Sequence, residues 1–150
     1  MLPSSEALKL CLGWLRSGDL TEAELRRKLE AKGRPEEEIA AALSAVKARK
    51  WQSDERVVER VKEVGTHRLE GKAKIEAKLA QRGLDPEQLG EALSDLDEEA
   101  EKSRALALLK LRLKASDSPA KAARILASKG FEEEVIRFAL ESLFPEWESQ

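Results

Sequence analysis

The sequence predicts an all-α protein of three tandem three-helix repeats, about nine helices in an elongated, curved arrangement. Alanine, leucine, glutamate, lysine and arginine dominate its 150 residues, and tyrosine is absent. Valine and isoleucine rarely alternate with polar residues, so no stretch reads as a half-buried strand. The segments KLEAKGRPEEEIAAAL, KLAQRGLDPEQLGEAL and RILASKGFEEEVIRFAL align on Gly33, Gly83 and Gly130, which lie 50 and then 47 residues apart.

The first repeat opens with Leu8, Cys11, Leu12 and Leu15 at helical spacing, ending at Ser17-Gly18-Asp19. Thr21 and Glu24 then form a capping-box pattern for a second helix. Leu29 faces its core, four residues before Gly33, as Leu79 and Leu126 do before the later glycines. Lys32, Arg82 or Lys129 directly precedes each glycine. This is the signature of a C-cap, where glycine accepts the left-handed conformation and the cation complements the carbonyl end of the helix. Beyond the cap, Pro35 and Pro86 suit the first position of a third helix, Asp85 is an N-cap type, and Glu36 to Glu38 and Glu132 to Glu134 suit a positive helix start. Ile39 and Leu43, Leu89 and Leu93, and Ile136 and Leu140 line its apolar face.

The second repeat begins with Val57, Val58, Val61 and Val64, and Gly71 precedes Ile75 and Leu79. The third begins with Leu106, Leu108, Leu109 and Leu113, with Ser118-Pro119 as N-cap and first-turn residue of the next helix. The expected modules are 4–53, 54–97 and 98–144, followed by a tail, 145–150. A three-helix unit this small is marginal alone, so neighbouring units are expected to stabilise one another. The joins near Asp54 and from Asp95 to Glu101 are charged rather than rich in glycine and serine, which predicts limited hinging.

Composition excludes several functions. With 27 basic and 29 acidic residues the formal charge is -2, unlike a basic nucleic-acid coat or an acidic tail. The single cysteine precludes an intramolecular disulfide or a cysteine-rich metal site, and no long apolar run or basic-then-apolar start is present. A monomeric cytoplasmic protein, neither exported nor membrane-spanning, is expected. Cys11 reads as a core residue and His67 as a helix-end imidazole, and no partner set for metal or acid-base chemistry accompanies them. No phosphate-loop or dinucleotide fingerprint occurs. The expectation is a non-enzyme without cofactor, metal or catalytic residue.

Charge distribution is more informative than net charge. Between Lys102 and Lys129 stand eight cations, Lys102, Arg104, Lys110, Arg112, Lys114, Lys121, Arg124 and Lys129, against one acid, Asp117. Lys110 and Lys114, four apart, and Lys121 and Arg124, three apart, can each share a helix face. This is either a solvated face or a surface that meets DNA phosphates or an acidic protein. Arg26, Arg27, Lys28 and Lys32 on the second helix of the first repeat, turned toward solvent, carry the same two readings. With Lys74, Lys78 and Arg82, and then Lys121, Arg124 and Lys129, they suggest a basic row recurring once per module. The aromatics, Trp14, Trp51, Trp147, Phe131, Phe138 and Phe144, are too sparse to stack bases and are expected in cores or module junctions. Trp147 is the exception, able to meet a partner from the tail.

The chain resembles the RecX family, small bacterial modulators of the RecA recombinase made of three tandem three-helix modules. The resemblance spans essentially the whole chain. It rests on the opening Ala7-Leu8-Lys9-Leu10 helix, on SGDLTEAELRRKLEAKG from Ser17 to Gly33, similar to the family's R-x-x-S-x-x-E-L-R-x-K-L-x-x-K-G, and on the closing Lys129-Gly130-Phe131. Where the family usually has Y-L-D-D-x-R-F-A, this chain has Trp51-Gln52-Ser53-Asp54-Glu55-Arg56-Val57-Val58, and the arginine-rich lead into the next helix is reduced to Arg68, Lys72 and Lys74. The resemblance implies a DNA-repair and recombination regulator, linked to the SOS response, that binds the groove of a RecA filament on single-stranded DNA and lowers its strand-exchange, coprotease and ATPase output. Candidate contacts to RecA, with possible weak direct contact to DNA, are Arg26, Arg27, Lys74, Lys78, Arg82, Lys110, Arg112, Lys114, Lys121, Arg124 and Lys129. The alternatives are a helical DNA-binding module acting without RecA and a non-catalytic adaptor for another protein.

Overall fold

A computed structural model describes residues 5–145. Ser4, the residues 146–150 and with them Trp147 lie outside the described residues. The described residues form nine helices and no strand, matching three three-helix repeats. The first repeat holds α1 (Glu6–Arg16), α2 (Glu22–Ala31) and α3 (Glu36–Ala48); the second holds α4 (Asp54–His67), α5 (Lys72–Gln81) and α6 (Pro86–Leu93); the third holds α7 (Glu98–Arg112), α8 (Pro119–Ser128) and α9 (Glu133–Leu143).

Local chemistry sets the helix ends. Thr21 completes the capping box with Glu24: its hydroxyl accepts from the Glu24 amide, and the Glu24 carboxylate accepts from the Thr21 amide at 2.8 Å. Ser5, Asp97 and Ser118 cap α1, α7 and α8 through one side-chain oxygen each. Gly33, Gly83 and Gly130 sit at φ 72°, 91° and 87°, the left-handed conformation a C-cap glycine supplies. Pro35 departs from expectation. Its extended ψ of 149° makes it the N-cap of α3, so the helix starts at Glu36, and carboxylates rather than a capping hydrogen bond favour its open end.

The chain divides into two compact units, Met1–Arg60 with Gln81–Asp85 and Val61–Ala80 with Pro86–Gln150. In the first unit Leu8 and Cys11 of α1, Leu25 and Leu29 of α2 and Ile39, Leu43 and Val46 of α3 form a continuous core. Burying each leucine or isoleucine contributes roughly 1.5–3 kcal/mol, which is why the helical stripe survives an otherwise charged surface. In the second unit, Leu108 and Leu109 of α7, Leu126 of α8 and Phe131, Val135 and Leu140 form the corresponding core. Ile75 and Leu79 of α5 are fully buried, and an added Cβ on Gly65 of α4 would lie 2.7 Å from the Ile75 side chain. That close approach requires a residue without a side chain.

Candidate partner-binding surface

The basic residues divide by what surrounds them. Several are held by the fold itself, at two junctions between successive repeats that share one plan. Counting from the C-cap glycines, Thr21, Glu22, Glu24, Lys32 and Asp54 correspond to Gly71, Lys72, Lys74, Arg82 and Glu101, and Arg82 corresponds in turn to Lys129.

At the junction of the first and second repeats, within the first unit, the loop after α5 meets the start of α2. The Thr21 hydroxyl donates to the Arg82 carbonyl at 2.7 Å. Arg82 donates to both Glu24 oxygens at 2.9 and 3.1 Å and to the Asp19 carbonyl at 3.0 Å. Burial alone would raise the Glu24 carboxyl, but the bonds from Arg82 and from the Thr21 amide hold it below the usual glutamate value. Asp54, from the first turn of α4, accepts from the Glu22 amide at 2.9 Å and from the Gln52 side chain at 2.8 Å. A free N–H at the start of α2 is thus satisfied by the next repeat.

The junction of the second and third repeats, within the second unit, repeats this with different residues. Glu101 of α7 accepts from the Lys72 amide at 2.8 Å, as Asp54 does from Glu22. Gly71 has no hydroxyl, so its own amide donates to the Lys129 carbonyl at 2.7 Å, and the Ala73 amide donates to the Gly130 carbonyl at 3.2 Å. An added Cβ on Gly71 would run into the Gly130 carbonyl, so the backbones touch only because both residues are glycine. Behind this contact lies buried Glu70, whose oxygens accept from Lys78 at 2.8 and 2.7 Å, with Lys74 3.9 Å away. Arg104 pairs with Glu101 and donates to the Glu70 carbonyl at 3.0 Å. Burial raises the Glu101 carboxyl above its usual value, with Arg104 opposing.

Five expected contact residues, Arg26, Lys74, Lys78, Arg82 and Lys121, are therefore paired with carboxylates within the fold. Arg26 is half-buried against Glu36 at 2.8 Å rather than turned freely to solvent, because Glu36 at the start of α3 faces the same side. Lys78 and Arg82 hold Glu70 and Glu24. Lys121 lies 3.2 Å from Asp117. Asp117 also accepts from the Lys114 amide at 2.8 Å, and that bond, followed by Lys121, lowers its carboxyl. Five cations of the expected row over the second helices thus also hold carboxylates of the fold, while Arg27 and Arg124 of the same row are exposed.

The remaining candidates differ. Arg27, Lys110, Arg112, Lys114 and Arg124 are exposed, and among the described residues none has a carboxylate within 4.0 Å of its side-chain nitrogens. Lys110 and Arg112 occupy the last turn of α7, where cations complement the helix dipole. The helix stops at Arg112, so Lys114 lies in the following loop and shares no helix face with Lys110. Lys129 donates to the Arg68 carbonyl at 3.5 Å. Between Lys110 and Arg112 stands Leu111, 77% exposed. Sequence reasoning missed it because a leucine in a leucine-rich helix reads as core. The available signal was its position, flanked on both sides by cations near the helix end.

The other singled-out residues have quiet surroundings. Cys11 is fully buried, and that burial pushes its thiol up to about 11. His67 ends α4 and is exposed. Trp14 is half-buried with the Lys28 ammonium 5.2 Å from its ring, and Phe138 lies beneath Lys102 at 4.7 Å. Trp51 is 40% exposed beside Arg49 rather than packed in a core or junction, since it follows Lys50, whose left-handed φ of 59° turns the chain away from α3. No group of acidic, histidine or cysteine side chains among the described residues is arranged to hold a metal ion, and no described helix is long and apolar enough to cross a membrane.

Fold and surface together define a tandem three-helix repeat protein with exposed cations at Lys110, Arg112, Lys114 and Arg124 and an exposed leucine at Leu111. Residues 7–44 match the family described as RecX, first three-helix domain. Regulatory protein RecX of Neisseria meningitidis serogroup A is 32% identical over 99% of this chain and 98% of its own length. The protein of the same name from Chromohalobacter salexigens is 35% identical over 92% of this chain and 90% of its own. The crystal structure of RecX from Lactobacillus salivarius superposes with a TM-score of 0.79 at 18% identity, covering 92% of this chain and 94% of that one. The chain belongs to the RecX family.

Proposed function

We propose that this chain is a regulator of the RecA recombinase, binding the RecA filament on single-stranded DNA and lowering its recombinase, coprotease and ATPase output without chemistry of its own. The observation that carries the reading is similarity along nearly the whole chain to proteins named regulatory protein RecX. The surface supplies the physical means. Exposed Lys110, Arg112, Lys114 and Arg124 attract acidic side chains or phosphates, and Leu111 adds apolar area that only a partner can bury. Repeated modules allow modest contacts on successive protomers to combine through effective concentration. The chain acts as a cytoplasmic monomer in this reading.

Co-sedimentation tests it. The purified chain pellets with RecA assembled on single-stranded DNA, and the triple variant Lys110→Glu, Arg112→Glu, Arg124→Glu stays in the supernatant. Equal pelleting of the two would remove these three cations from the interface, and no pelleting of either would reject the function. The same cations also favour a second reading, a module that binds DNA without RecA. Loss of salt-dependent DNA binding in the triple variant, with filament inhibition intact, would separate the two.

A further inference from the structure

Leu111 is the most exposed large apolar side chain among the described residues, and Leu143, 37% exposed, ends α9. The two leucines lie at the same end of the third repeat. In the first repeat the Ala7 amide, at the start of α1, donates to the Glu38 carboxylate in the first turn of α3 at 3.0 Å, so these packed helices run side by side in one direction. Counting from the C-cap glycines, Ala7 and Glu38 correspond to Arg104 and Val135, on α7 and α9, which share one core. From Arg104 to Leu111 and from Val135 to Leu143 the helices rise about 10 and about 12 Å, nearly the same height.

Beyond Leu143 the chain leaves the axis of α9. Phe144, at φ -128° and ψ 75°, packs against the core that α7 and α9 share, and Pro145 cannot continue the helix. Glu146-Trp147-Glu148 follows. The step from Leu143 to Trp147 spans at most about 14 Å, more than the roughly 8–10 Å between packed helix axes, so Trp147 is within reach of the end of α7. There Lys110 and Arg112 stand about 100° to either side of Leu111 around the helix, both exposed. An aromatic residue between two acids thus follows directly on a bundle end that presents a leucine between two cations.

We propose that the segment after Pro145 folds back over the end of α7, with Trp147 against Leu111 and Glu146 and Glu148 paired with Lys110 and Arg112, an autoinhibitory contact that an outside partner must displace. The first partner Leu111 meets is then this chain's own segment. Covering the leucine removes apolar area from water, and the two acids neutralise the cations that no described carboxylate reaches. Each contact is modest, but the short tether gives the segment a high effective concentration at this place. The contact itself needs no recombinase; its autoinhibitory consequence rests on the functional reading above.

Fluorine NMR on the full chain labelled with fluorotryptophan tests the contact, the Trp147 resonance being the one lost in Trp147→Phe. A soluble gadolinium chelate is expected to broaden that resonance several-fold less in the wild-type chain than in Leu111→Ala or in the double variant Glu146→Lys, Glu148→Lys. Adding Lys110→Glu and Arg112→Glu to the double variant is expected to restore protection, because the pairs re-form with their signs exchanged. Equal broadening in wild type and both variants, or no recovery in the charge-swapped chain, would overturn the contact. Protection that rises with chain concentration would seat the segment on a second copy and overturn it as well. Co-sedimentation with RecA filaments tests the consequence. The double variant Glu146→Gln, Glu148→Gln, which adds no cation, is expected to pellet at a several-fold lower chain concentration than wild type. Unchanged pelleting with Trp147 protected in the wild type would overturn the autoinhibitory role. No pelleting of any chain, with Trp147 still protected, would retain the contact and reject the filament reading.

Discussion

Replacing each C-cap glycine by alanine separates the conformational role of these residues from their role in joining repeats. All three sit at positive φ, where a Cβ meets the neighbouring carbonyl, so each change costs about 1 kcal/mol for conformation alone. Gly33 has nothing within 4 Å of the new methyl, so Gly33→Ala is expected to stop at about 1 kcal/mol. At Gly130 the methyl falls on the Lys74 Cβ and backbone, which cannot turn aside as a flexible side-chain end can. Overpacking against such a neighbour adds about 1–3 kcal/mol, so Gly130→Ala is expected to cost about 2–4 kcal/mol. Gly83→Ala, whose methyl lies 2.7 Å from the Ala23 Cβ, falls between them. Urea unfolding followed by far-ultraviolet circular dichroism measures the three costs, with calorimetry to resolve whether the two compact units melt together. Equal costs at Gly33 and Gly130 would refute the claim that the C-cap glycines of the second and third repeats also serve as contact points for the repeat before.

Arg82→Ala removes the bonds to Glu24 and to the Asp19 carbonyl and is expected to cost about 1–2 kcal/mol, discounted for partial exposure of the pair. Because the Glu24 carboxyl is held below its usual value, this contribution is complete above the unfolded-state glutamate pKa and is lost as pH falls through the folded one. Wild type and variant should therefore converge in acid, as read by melting temperature against pH. Cys11, with its thiol pushed up to about 11, should react with a thiol reagent at pH 8 far more slowly in the folded chain than in urea. Leu111→Ala should leave stability within about 0.5 kcal/mol, since the side chain is exposed, while weakening co-sedimentation with RecA filaments.

Much of the fold was legible because local signals agreed with one another. The Thr21-Glu24 capping box, the Ser118-Pro119 helix start and the cation-glycine caps each stand where the sequence pattern put them. Each depends on residues close in sequence, so no tertiary knowledge was needed. Pro35 was displaced by one position because an N-cap and a first helical residue share the same φ and differ in ψ, which sequence does not reveal. The surface was less legible for a different reason. Helical spacing tells which way a lysine or arginine points, but not which carboxylate waits there. Arg82 meets Glu24 from 58 residues away, and Arg26 meets Glu36 across a turn. Leu111 was hidden in the opposite sense, an apolar residue of a leucine-rich helix that the fold leaves exposed.

Steady-state ATP hydrolysis by RecA on single-stranded DNA tests the proposed restraint of RecA at its source. Titrating in the chain should lower the rate toward a plateau, with the Lys110→Glu, Arg112→Glu, Arg124→Glu variant needing a markedly higher concentration for the same effect. A rate unchanged by a large excess of the folded wild-type chain would reject the proposed function.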